Sequence, residues 1–171
     1  MTDVDRYSGR KNRDALDRFD LAILSVLAED GRISITDMAG RIGLSKSPTQ
    51  ARLRRLENEG YVLGYRAMID PILLGQDHVA FVEVRLNDTR EAALSDFNAA
   101  VAKTGEIEQA HMIAGNFDYL LKVRTRDMAQ YRRVLGDVIS TLPHVASTST
   151  FVAMEAVKEV ALAGPDQNDV T

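Results

Sequence analysis

LDRFDLAILSVLAEDGRISITDMAGRIGLSKSPTQARLRRLENEG, residues 16–60, is the stretch whose reading decides the fold. Leu16, Phe19, Ile23, Val26 and Leu27 recur at three- to four-residue spacing, which predicts an amphipathic helix. Asp17 and Asp20 fall in its first turn, where the helix dipole favours anions, and Asp30-Gly31 ends it. Ser34 is placed to cap a second helix, with Asp37 three residues on. Ile35, Met38, Ala39 and Ile42 form its inner stripe, and Gly43 stops it. A third helix is expected over Pro48–Asn58, with Ser47 as cap, Pro48 in the first helical slot and Gln50 completing an S-x-x-Q box. A start at Ser45 is the alternative. Three short helices with a glycine-marked turn between the last two form a helix-turn-helix unit. After Gly60, the stretch from Tyr61 to Asp70 carries Val62, Leu63, Tyr65, Ala67 and Ile69 around Gly64 and reads as a short hairpin, the wing.

Working outward from helix three, Leu53 and Leu56 define its inner face. At about 100° per residue, Ser47, Ala51, Arg54 and Arg55 point the other way. A solvated helix face explains two adjacent arginines there as well as a DNA-binding face does, so the pattern gains meaning only from the helix-turn-helix around it. Net charge does not oppose that reading. The whole chain carries −4, but residues 1–70 hold 12 Lys+Arg and 11 Asp+Glu, a net of +1, and residues 71–171 hold 9 and 14, a net of −5. Phosphate attraction depends on the local patch, because the Debye length is about 8–10 Å at physiological salt.

Beyond Asp70-Pro71 the pattern changes. Residues 71–76 read as a linker. His78 to Leu86 alternates, with Ala80, Val82, Val84 and Leu86 on one face and Val79 and Phe81 on the other. Asp88 is expected to cap a helix with Leu94, Phe97 and Val101 as its stripe and Glu91 completing the box. Ile107–Ala114 and Phe117–Thr125 read as strands joined by a tight Gly115-Asn116 turn, in which Gly115 supplies positive φ and Asp118 an Asx hydrogen bond. Met128, Tyr131, Leu135, Val138 and Leu142 make a second helix that Pro143 bars from continuing. Val145–Met154 is the last strand. The order β-α-β-β-α-β is a ferredoxin-like sandwich, so the fold class is α+β behind a winged helix-turn-helix. Two helices cover one sheet face. The other face, with Val79 and Phe81, is expected to be a self-association surface.

Composition bounds the function classes. A hydrophobic fraction of 45% and a charged fraction of 27% fit a globular chain rather than a disordered one. With no cysteine, disulfides and thiolate metal sites are excluded. The first 20 residues hold no apolar core of a signal peptide, and no apolar run approaches the roughly 20 residues of a membrane span. A cytoplasmic protein is expected, with no membrane partner. His78, His111 and His144 lie apart without ligand spacing, and no P-loop or Gly-x-Gly-x-x-Gly occurs. No catalytic residue, metal or cofactor is expected. The organisation read from the chain is a mobile arm 1–15, a DNA-binding domain 16–70, the linker 71–76, an αβ domain 77–160 and a disordered tail 161–171.

The strings LDRFDLAILSVLAEDGRIS, MAGRIGLSKSP, RLRRLENEGYVLGYRAMIDP, GNFDYLLKV and LPHVASTSTF together resemble the Lrp/AsnC (feast/famine) family of transcriptional regulators over about residues 15–160. Within it, GYRAMIDP and HVASTSTFVAMEAVKE are similar to the branch that regulates proline dehydrogenase. The resemblance implies a homodimer built through the C-terminal sheets and assembling to an octamer. It implies a regulator of amino-acid metabolism whose effector, an amino acid with proline foremost, binds between subunits. Effector contacts implied by the matching turn and corner are Gly115, Asn116, Phe117, Asp118 and Tyr119, then Pro143, His144, Val145, Thr148 and Thr150. His144 departs from the pattern, since many relatives carry glycine or another small residue there. On the DNA side, Lys46, Ser47, Thr49, Gln50, Arg52, Arg54, Arg55 and Arg66 are expected to meet double-stranded DNA. The alternative function is a ligand-independent architectural protein of the same fold that wraps DNA.

Overall fold

The computed structural model describes residues 16–159; the expected arm 1–15 and tail 161–171 lie outside them. The chain divides into two compact units between Met68 and Ile69, the second ending at Lys158.

The first unit holds three helices: α1 (Arg18–Glu29), α2 (Ile35–Ile42) and α3 (Lys46–Asn58). Helix α1 opens on a reciprocal box between its cap Asp17 and its third residue Asp20. The Asp17 carboxylate accepts from the Phe19 and Asp20 amides at 2.9 and 3.0 Å, and Asp20 accepts from the Asp17 amide at 3.1 Å. Such a cap stabilises a helix by about 1 kcal/mol. Helix α2 is capped by Ser34, which accepts from the Asp37 amide at 3.1 Å, and closes on Gly43 at φ 71°. Its sharp left-handed exit is the turn of the helix-turn-helix, and glycine adopts it without steric cost. Ile23, Met38, Leu53 and Leu56 are buried together where the three helices meet. Truncating the fully buried Leu56 to alanine removes about 2–5 kcal/mol.

Helix α3 begins two residues earlier than the Ser47-Pro48 signal implies. Ser45 is its cap, with no side-chain cap bond, and Pro48 is the third helical residue. Pro48 still lies in the first turn, whose amides have no intrahelical acceptor, so its missing N–H costs nothing. The Thr49 hydroxyl donates to the Ser45 carbonyl at 3.0 Å. The expected wing hairpin forms no strand pair: residues 63–70 carry no ladder. Tyr65 instead donates to Glu57 at 2.7 Å and lies against Gly31. A lone two-stranded hairpin is marginal, and these residues are largely exposed. The linker is also more ordered than expected. Asp70 accepts from the Ile72 amide at 2.8 Å, and Gln76 donates back to Pro71 at 2.8 Å, closing a turn over Pro71–Gly75.

The second unit is a four-stranded antiparallel sheet, β1 (His78–Leu86), β2 (Ile107–Met112), β3 (Tyr119–Thr125) and β4 (Val145–Val152), in the order β2-β3-β1-β4. Helices α4 (Glu91–Val101) and α5 (Met128–Asp137) supply Phe97, Tyr131 and Val134 to the core, with a 3-10 turn at Ile139–Thr141. The core face of the sheet carries the fully buried Ala80, Val82, Val84, Leu121 and Val123, each alternate residue of the two central strands. Asp88 does not cap α4. It accepts from the Arg90 amide and guanidinium, which holds its pKa down to about 2, and α4 starts after Arg90. The β2–β3 connection is wider than a two-residue turn. It spans 113–118, closed by Ile113 donating to the Asp118 carbonyl at 2.8 Å, and Gly115 does not take positive φ.

Candidate nucleic-acid interface and effector corner

Thr49, Leu53 and Leu56 form an i, i+4, i+7 stripe that turns into the core. The opposite side of α3 is left to solvent, where Lys46, Ser47, Pro48, Ala51 and Arg54 are exposed. Gln50 is half-buried at its edge. Thr49 is 0% exposed, so its expected DNA contact is withdrawn: methyl and hydroxyl are both used inside the unit. Arg54 and Lys46 form no ion pair among the described residues, and Arg66 stands exposed in the extended chain after α3.

Arg52 and Arg55 are placed otherwise. Both reach back to α1 and bind one buried carboxylate. Asp20 is 1% exposed, and it accepts from Arg52 Nη1 at 2.9 Å through one oxygen and from Arg55 Nη2 at 2.5 Å through the other. Asp17 adds a second contact to Arg52 at 2.7 Å, and Glu59 a longer one to Arg55 at 3.8 Å. Burial alone would raise the Asp20 pKa. The hydrogen bonds from Arg55, the Asp17 backbone and Arg52 outweigh it, and the group stands below the ordinary carboxylate value. Asp20 was not among the expected site residues. Its signal was present, since Leu16, Asp20, Ile23 and Leu27 follow i, i+4, i+7, i+11 and set one acid into an apolar stripe.

In the second unit, the two segments expected to meet the effector gather at the C-terminal end of β1. Asp118 donates its amide to the Val84 carbonyl at 2.9 Å, and its carboxylate accepts from the Leu86 amide at 2.7 Å. This long-range bond replaces the local Asx turn. On the other side of β1, Asn87 donates to the His144 carbonyl at 2.8 Å. Gly115 and Asn116 are exposed, Phe117 and Asp118 half-buried, as are Pro143, Val145 and Thr148. Two expected members are occupied elsewhere. Tyr119 is buried, packs on Phe97 with ring centroids 4.4 Å apart and donates to Asn98 at 2.8 Å, so it is a core residue. Thr150 shares a 2.6 Å hydrogen bond with the Tyr131 hydroxyl, further along the edge strand. His144 has φ 64°, the left-handed region that glycine occupies without strain. That geometry explains why a small residue suits the position. Its imidazole lies 3.4 Å from Asp96.

On the uncovered sheet face, Phe81 and Phe151 are register partners on β1 and β4 and are 37% and 52% exposed. Val79 is only 7% exposed within the single chain, so its expected interface role is withdrawn. The face is less apolar than alternation implies. Glu108 pairs with Lys122 and Arg124, each at 3.1 Å, beside the aromatic strip. Among the described residues, no helix is long and apolar enough to cross a membrane and no three metal-ligating side chains converge.

Residues 16–62 match the winged helix-turn-helix DNA-binding family, and residues 79–162 match the Lrp/AsnC ligand binding domain. The chain is 60% identical over 149 residues to a proline dehydrogenase transcriptional activator of Rhizobium radiobacter, covering 87% of this chain and 96% of that one. It is 46% identical over 144 residues to the leucine-responsive regulatory protein of Salmonella typhimurium, covering 84% and 88%. Among solved structures, a transcriptional regulator of Neisseria meningitidis in complex with L-methionine superposes with a TM-score of 0.81 at 30% identity, over 86% of this chain and 95% of that one. The curated relatives are regulators of transcription, and "proline dehydrogenase" in the first name belongs to the activator's description, not to an activity of its own.

Proposed function

This chain belongs to the Lrp/AsnC family of transcriptional regulators, and from that premise we propose that it recognises operator DNA through the exposed face of α3 and is switched by an amino acid held at the β1 corner. The observation that carries the DNA half is the division of α3 into two sides. Thr49, Leu53 and Leu56 are spent on the core, while Lys46, Ser47 and Arg54 face outward without partners among the described residues. Arg54, with Ser47 and Gln50 beside it, is the base-reading group, since a bidentate guanidinium matches guanine in the major groove. Lys46 and Arg66 contact phosphates. A homodimer through the Phe81–Phe151 strip carries two copies of α3 related by a two-fold axis, so half-sites are inverted repeats. Octamer assembly and residence on the nucleoid belong to the same reading.

The effector half rests on the corner where 113–118 and 143–148 meet β1. Backbone amides at Gly115 and Asn116 suit a carboxylate, as in anion-binding nests. Asp118 spends one lone pair on the Leu86 amide and keeps the rest, with its charge, for an ammonium group. The hydroxyl of Thr148 completes a polar edge. The regulator seen with L-methionine supports an amino acid as the class, and the 60% identical proline dehydrogenase activator supports proline as the member. A thermal-melt screen of the twenty amino acids tests this on the wild type and on Asp118→Asn, which keeps an oxygen for the Leu86 amide and loses the charge. A saturating effector at about 100 times its dissociation constant stabilises the fold by about 2.7 kcal/mol. A shift with proline that vanishes in Asp118→Asn supports the site. No shift with any amino acid refutes it and favours the ligand-independent, DNA-wrapping reading.

A further inference from the structure

Among the described residues Asp20 is the one buried acid, and the DNA reading leaves it unexplained; its two partners sit on the helix that this reading brings to DNA. Its carboxylate spends one oxygen on Arg52 and the other on Arg55, residues 32 and 35 positions away. The Phe19 ring underlies the Arg52 guanidinium at 5.5 Å, so Arg52 is fixed by Asp17, Asp20 and an aromatic face together. Asp17, Asp20 and Glu59 bring three negative charges to this flank against the three of Arg52, Arg55 and Arg18, the last lying over the same Phe19 ring at 4.6 Å. The flank therefore has no surplus of positive charge with which to draw phosphate. On the outer side of the same helix, Lys46 and Arg54 carry theirs without partners among the described residues.

We propose that Asp20 is a positioning residue for DNA readout: by pinning Arg52 and Arg55 against α1, it keeps their charges from indiscriminate phosphate binding and leaves Arg54 and Lys46 to set affinity. A guanidinium is always charged, so an arginine on this helix is restrained only by an acid built beside it. Sequence-independent affinity grows with every cation that reaches a phosphate, whereas base discrimination does not. Holding two of four cations of α3 in check thus raises the ratio of specific to non-specific binding. The inference rests on α3 as the helix that meets DNA.

The test uses the full chain and two probes: a mixed-sequence DNA duplex, and the duplex that the wild-type chain selects from a random pool. Affinity is measured against salt. Each phosphate contact contributes about 0.9 to the slope of log affinity against log salt. Lys46→Gln makes the slope shallower by about 0.9, and Arg55→Gln by less than half as much, because that charge is already engaged. Asp20→Asn makes it steeper by about one to two units and lowers the ratio of affinities for the two duplexes. The steepening disappears in Asp20→Asn combined with Arg52→Gln and Arg55→Gln. A purely structural Asp20 would lower Tm and leave the slope and the ratio unchanged, which overturns the proposal. So does an Arg55→Gln slope equal to that of Lys46→Gln, a comparison that does not depend on the Asp20 variant folding. If Lys46→Gln itself leaves the slope unchanged, α3 is not the DNA-contacting helix, and the proposal falls with that reading.

Discussion

At His144 the backbone conformation reverses the usual ranking of alanine over glycine. With φ at 64°, a residue bearing a Cβ pays about 1–2 kcal/mol, and glycine pays nothing in the folded state. Glycine in turn loses about 0.4–1 kcal/mol through the greater freedom of its unfolded chain. Both His144→Gly and His144→Ala remove the 3.4 Å contact with Asp96, so that loss cancels between them. The difference is about 0.5–1 kcal/mol in favour of His144→Gly. For a unit of this size, that corresponds to a melting temperature higher by about 2–8 °C. Paired thermal melts by circular dichroism read it directly. The control is Ala146, an exposed residue of β4 outside the positive-φ set, where replacement by glycine must lower Tm. If His144→Ala melts at or above His144→Gly, the left-handed corner is not the constraint at this position.

Phe81→Asp places an unpaired charge on the uncovered strip beside Phe151, and burying it in a dimer costs several kcal/mol, so light scattering should report monomers; an unchanged oligomer places the interface elsewhere. Asp20 predicts an acid limb for the first unit. Its folded pKa lies below its unfolded value of about 3.9, so its contribution is complete above that pH and is lost as pH falls through the lower folded value. Denaturant unfolding between about pH 7 and about pH 3 should be flat and then fall, and the fall should be smaller in Asp20→Asn; equal limbs would show that the pair does not stabilise the fold.

Local signals in the chain carried most of the architecture. The α1 and α2 bounds followed from apolar spacing and from Ser34 and Gly43, and β1 from strict alternation, because each is decided by residues a few positions apart. What misled were signals that fit two local answers. Ser47-Pro48 reads as cap and first slot, but a proline fits anywhere in a helix's first turn, and Ser45 was the true start. Asp88 looks like a cap until Arg90 claims it. Gly115-Asn116 looks like a two-residue turn, yet the loop is set by Asp118 reaching the Leu86 amide 32 residues away. Thr49 and Tyr119 fall inside binding motifs, yet their spacing on helix and strand places them on core faces. The place of Asp20 in an apolar stripe is a local signal, but its pairing with Arg52 and Arg55 and the burial of Val79 depend on contacts between distant segments, which no local pattern reports.

The account stands or falls on what α3 does at the DNA. The direct measurement is the affinity of wild type, Arg54→Ala and Lys46→Ala for the selected duplex and for a panel of its single-base variants. Arg54→Ala should weaken the selected duplex by about 5- to 160-fold, equivalent to about 1–3 kcal/mol, and erase the preference at one base pair of each half-site. Lys46→Ala should weaken all duplexes alike and reduce the salt slope by about 0.9. Equal losses for both variants on every sequence would contradict it.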